Sequence, residues 1–90
     1  MINKEKFYET VKHEAELNVN YPYFDEEVWK PRLEALGEDE DEIINFIDNA
    51  DKETMSDLFS IYDEIINKFP SEKMYKAIDS LIKNYQKAYN

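Results

Sequence analysis

The strongest constraint on the fold is a run of apolar residues at helical spacing. Met55, Leu58, Phe59, Tyr62, Ile65, Ile66 and Phe69 recur three and four positions apart. That is the stripe of an amphipathic helix rather than the alternation of a strand. Pro70 ends the stripe, and Ser71 is placed to cap a second one formed by Met74, Ile78, Leu81, Ile82, Tyr85 and Tyr89. The chain holds one Gly and three Pro, few turn signals for a sheet, so helices are expected throughout.

Upstream, Asn3 can cap a first helix through about Val19, with Phe7, Val11 and Ala15 on one face. Pro22 disfavours the helical conformation at Tyr21 and breaks the chain across residues 18–24. Asp25 reads as the cap of a short second helix carrying Val28, Trp29, Leu33 and Leu36. Pro31 either kinks that helix or delays its start by a turn, and Gly37 stands where a C-terminal cap belongs. Ile43, Phe46, Ile47 and Ala50 outline a third helix, and Asp51 caps the fourth. The expectation is an all-α, single small domain over residues 1–90. It has about five short amphipathic helices, arranged as an antiparallel bundle or as HEAT-like helical hairpins. The last two stripes also align at an offset of 19 residues, Met55 on Met74 and Phe59 on Ile78, as one unit of a helical array would.

At 90 residues the chain has room for one domain and a modest core, and none for separate cofactor and substrate domains. The formal charge of −10 is the wrong sign for a protein that grips phosphate backbones or anionic membranes. With 42% hydrophobic and 14% aromatic residues it is too apolar to be disordered acidic filler. Cysteine is absent, which removes disulfides, thiolate ligands and thiol nucleophiles. Met1–Lys6 turns polar at once, unlike a signal peptide, and no apolar stretch has membrane-spanning length; a cytoplasmic protein is expected.

The acidity is concentrated. Residues 1–37 carry five bases and eight acids, residues 38–66 one base and eleven acids, and residues 67–90 five bases and two acids. Glu53, Asp57, Ser60 and Glu64 lie opposite the fourth stripe as an acidic ridge, and Lys73, Lys76, Ser80, Lys83 and Lys87 form a basic ridge on the fifth.

Catalytic signatures fail in turn. His13 is the single histidine, flanked on its helix face by Glu9 and Glu16, and reads as a surface residue between carboxylates. A di-iron bundle needs Glu-x-x-His twice, and a calcium loop needs Gly at its sixth position; neither occurs. One glycine cannot build a phosphate loop. The expectation is therefore no enzyme, no cofactor and no metal site.

What remains is a surface suited to a basic protein partner. Dense negative charge accelerates encounter, and aromatic anchors supply short-range affinity. The residues assigned to partner binding are Asp39, Asp41, Glu42, Asp48, Asp57 and Glu64, with Trp29 and Tyr23 as anchors.

Residues 43–54, Ile-Ile-Asn-Phe-Ile-Asp-Asn-Ala-Asp-Lys-Glu-Thr, and the link Ile-Ile-Asn-Lys-Phe-Pro-Ser-Glu-Lys at 65–73 follow the acidic opening at Glu38. From Glu38 to Tyr89 the chain resembles small bacterial immunity proteins that accompany polymorphic toxins, including those of contact-dependent growth inhibition. The resemblance implies a cytoplasmic inhibitor that binds one cognate toxin, often a nuclease; the net charge argues against direct nucleic-acid or membrane contact, and a monomer is expected when free. Two alternatives stand beside it: a DNA-mimic inhibitor of a nucleic-acid enzyme, and a self-associating helical scaffold.

Overall fold

A computed structural model describes residues 1–89. The described chain is all-α, with six α-helices and one π-helical turn. Its contacts gather into two compact units, Met1–Glu38 and Asp39–Asn90.

In the first unit α1 spans Lys4–Glu16, and the Asn3 side chain accepts from the Lys6 N–H at 3.0 Å, as its N-cap position predicts. The helix stops three residues short of the expected Val19. Leu17 turns extended, and the Asn18 carboxamide accepts from the Asn20 N–H at 2.9 Å while its carbonyl accepts from Tyr21 N–H. Asparagine thus offers the backbone a local turn in place of another helical turn.

The second helical segment departs most from expectation. Phe24 is already helical and Asp25 makes no capping bond; Asp25–Trp29 forms a π-helical turn, with the Lys30 N–H reaching back to the Asp25 carbonyl. α2, Lys30–Ala35, follows without interruption and carries Pro31 in its first turn. A proline ring inside a helix collides with the carbonyl four residues back, and its missing N–H removes one rung of the ladder. A wide turn immediately before Pro31 is a way for the segment to remain helical through it. Gly37 closes α2 at φ +79°, and a Cβ there would lie 3.1 Å from the Met1 carbonyl oxygen. The Asn3 N–H donates to the Ala35 carbonyl at 2.8 Å, tying the chain start to the end of α2.

The second unit holds α3 (Glu40–Asp48), α4 (Lys52–Phe59), α5 (Tyr62–Lys68) and α6 (Glu72–Tyr89). Asp39, Asp51 and Ser71 accept from the Glu42, Thr54 and Met74 N–H groups, capping α3, α4 and α6. α6 packs against α3, α4 and α5. Its buried Met74, Ala77, Ile78 and Leu81 meet the spacing of the sequence stripe. Tyr85 stacks on Phe59 with ring centroids 4.3 Å apart, and the Tyr89 hydroxyl donates to the Lys52 carbonyl, so α4 and α6 run in opposite directions.

The stripe from Met55 to Phe69 belongs to two helices rather than one. At the break the Ser60 hydroxyl donates to the Asp57 carbonyl at 2.6 Å, the acceptor that the Ile61 N–H would use in a continuous helix. The Ile61 N–H bonds Leu58 instead, and Ile61 is completely buried. The 19-residue correspondence therefore matches one straight helix against a broken pair, and the ridge from Glu53 to Glu64 is divided between α4 and α5.

Candidate functional site

Charge is compensated unevenly in the second unit. The basic face of α6 turns largely to local acids: Lys73 meets Asp41 at 2.6 Å and Glu40 at 3.3 Å, Lys76 meets Glu72, and Lys83 meets Asp79. The hydrogen bond that Lys73 donates to Asp41 leads the causes that raise its ammonium above the ordinary pKa. Ser71 adds a hydrogen bond to Glu40 at 2.7 Å, so the start of α3 is fastened to the start of α6. The basic ridge of α6 thus meets carboxylates of α3 and of α6 itself.

Part of the Glu38–Glu42 run therefore has partners within the unit. Asp39 caps α3 and Asp41 neutralises Lys73. Glu42 is half-buried in the first turn of α3. Asp51 caps α4, and the Thr54 N–H holds its carboxyl below the usual carboxylate range. By contrast, Asp48, Glu53, Asp63 and Glu64 have no cation within pairing distance among the described residues. Asp48 borders a shallow open depression of about 200 Å³ lined by Ile44, Lys73, Lys76, Ala77 and Ser80. Asp57 is half-buried near the end of α4, and its backbone carbonyl takes the Ser60 hydroxyl.

The two aromatic anchors belong to the first unit. Tyr23 is 53% exposed; Trp29 is half-buried and stacks on Phe24 at 5.5 Å. The indole nitrogen of Trp29 is buried and finds no acceptor among the described residues. Tyr21 contacts both Tyr23 and Phe24 edge to face.

Two arrangements in this unit carried no sequence signal. The first is a chain of side chains in which the Tyr21 hydroxyl donates to Glu27, whose other oxygen lies 3.4 Å from His13 Nε2. The Tyr21 bond is the leading influence lowering the Glu27 carboxyl below its ordinary pKa and raising the Tyr21 phenol above its own. His13 thus meets Glu27 from another element rather than the Glu9 and Glu16 of its own helix. The second is Arg32, which is fully buried. Its Nε donates to Thr10 Oγ1 at 2.9 Å, its Nη2 to Glu14 at 2.7 Å, and its guanidinium carbon lies 5.9 Å from the Phe7 ring centroid. The Tyr21–Glu27 bond spans six positions, whereas His13–Glu27, Arg32–Glu14 and Arg32–Thr10 pair residues 14, 18 and 22 positions apart, separations that helical spacing does not announce.

Among the described residues no group of three or more His, Asp or Glu side chains is placed to hold a metal ion, and no helix is long and apolar enough to cross a membrane. Comparison with protein-family models, curated proteins and solved structures gives no match.

Proposed function

We propose that the chain is an immunity-type inhibitor that binds a basic toxin domain, most simply a nuclease, through the acidic surface of its second unit. One observation carries this reading. The cations of α6 are largely engaged by Glu40, Asp41, Glu72 and Asp79, whereas Asp48, Glu53, Asp63 and Glu64 are left without a cation among the described residues. A nuclease must present a positive surface to its substrate, and uncompensated carboxylates attract that surface over roughly a Debye length of about 8 Å at physiological salt. The resemblance of residues 38–89 to immunity proteins agrees with the charge argument and supplies the class of target.

The test is capture from a lysate of the source strain on the immobilised chain, eluted with a salt gradient and identified by mass spectrometry. The expected result is one basic chain released only under denaturing conditions, whose nuclease activity is suppressed when the inhibitor is restored. Charge reversal of Asp63 and Glu64 together slows association with that partner and alters its salt dependence. Recovery of many basic proteins, all leaving at modest salt, refutes the reading, because the surface is then a generic polyanion.

A further inference from the structure

We infer that the aromatic patch of the first unit, formed by Tyr21, Tyr23, Phe24 and Trp29 beside Asp25 and Glu26, receives an arginine carried on a basic protein segment. The inference rests on the inhibitor reading for the class of partner and adds a second, separately placed contact. The four rings form a connected set, with centroid separations of 5.6 Å for Tyr21–Tyr23, 6.2 Å for Tyr21–Phe24 and 5.5 Å for Phe24–Trp29. Tyr23 stands half in solvent, and Val19, in the loop leading to it, is 89% exposed. The Tyr21 hydroxyl is held by Glu27, which His13 of α1 approaches in turn, so the Tyr21 ring is positioned before any partner arrives.

Asp25 and Glu26 are exposed and meet no cation among the described residues. Aromatic faces next to unpaired carboxylates match a guanidinium, which stacks flat on a ring while its edge forks a carboxylate. An ammonium is compact and strongly hydrated and does not do both.

Trp29 is the single tryptophan, so its emission reports this site alone. The full chain is titrated with nona-arginine and nona-lysine peptides at about 0.15 M salt, with calorimetry in parallel. The expected result is a saturable change in emission, with half-saturation about tenfold lower for the arginine peptide. The double variant Asp25→Asn/Glu26→Gln raises that half-saturation about tenfold, and the second-unit variant Glu72→Gln/Asp79→Asn, at carboxylates engaged by Lys76 and Lys83, changes it less than about twofold. Each of these results overturns the inference: peptide binding with unchanged emission, equal response to lysine and arginine, equal weakening by the second-unit variant, and no binding of either peptide. The first and third place the contact on the second unit and leave the inhibitor reading standing; that reading fails separately, in the capture experiment. Emission that varies with protein concentration alongside a sedimenting dimer also overturns it, since a second copy then covers the patch.

Discussion

Removing the carboxylate of Glu14 is expected to destabilise the first unit more than removing the arginine it serves. Arg32 is fully buried, and its Nη2 donates to Glu14 at 2.7 Å. Breaking a buried ion pair from one side costs about 3–5 kcal/mol, because a charge is left in a poor solvent. The Glu14 side chain is 35% exposed, so water reaches this end of the pair and the cost for Glu14→Ala falls to about 2–3 kcal/mol, near that of a charged hydrogen bond. Arg32→Met is different. It removes the charge together with its desolvation penalty and fills most of the volume. Thr10 keeps its 2.6 Å bond to the Phe7 carbonyl, and Glu14 is left facing solvent. That variant is expected within about 1 kcal/mol of the parent, as for other buried pairs replaced by apolar residues. Thermal unfolding followed by Trp29 emission measures both. At about 4–8 °C per kcal/mol, Glu14→Ala lowers Tm by about 8–24 °C, and Arg32→Met by less than about 8 °C. The double variant behaves like Arg32→Met, since no buried charge remains to be stranded. If Arg32→Met is the more damaging single change, the reasoning is wrong and the guanidinium contributes through packing or through its polar contacts.

Three further outcomes follow from local geometry. Asp51→Ala is expected to lose helix α4 stability at neutral pH, with the difference shrinking in acid: the Asp51 carboxyl lies below its ordinary value of 3.8 in the fold, so the contribution of its charge is complete above that pH and is lost as pH falls through the folded value. Urea titrations from pH 7 into acid check the trend, and a gap that does not shrink as pH falls contradicts it. Gly37→Ala forces a left-handed φ of +79° on a residue with a Cβ 3.1 Å from the Met1 carbonyl oxygen, at a cost of about 1–2 kcal/mol in chemical denaturation. Tyr85→Leu removes the 4.3 Å stack on Phe59 and lowers stability by about 0.5–1.5 kcal/mol beyond lost area, a coupling that a double-mutant cycle with Phe59→Leu isolates.

Much of the secondary structure was legible because its signals are local. Asn3, Asp51 and Ser71 each accept the N–H three residues on, and such a cap needs only a short polar side chain followed by helix-forming sequence; Asp39, assigned to partner binding from the sequence, caps α3 in the same way. Gly37 was readable for the same reason, since an achiral residue after an apolar run marks a left-handed stop. Where the sequence reading went astray, backbone alternatives of similar energy competed. Ser60 carries no breaker signature, yet its hydroxyl takes the Asp57 carbonyl and the stripe divides. Asp25 has the composition of a cap, but the chain is helical from Phe24 and a π-helical turn leads into Pro31.

The candidate sites divide along the same line. Composition located the excess of acid in residues 38–66, because charge counts require no fold. Which of those carboxylates have a cation beside them depends on where α6 delivers Lys73: Asp41, itself largely exposed, pairs with it, and Asp48 and Asp63 have none among the described residues. The sequence by itself determined an all-α chain, most of its caps and its acidic central third, since hydrophobic period, capping chemistry and net charge are set by near neighbours. Only the tertiary structure decided that Arg32 is buried against Thr10 and Glu14, that Tyr21, Glu27 and His13 form one chain, and that the Trp29 indole is left without an acceptor. Those facts depend on which segments meet across turns, and a small balance of packing, desolvation and hydrogen bonding decides that meeting.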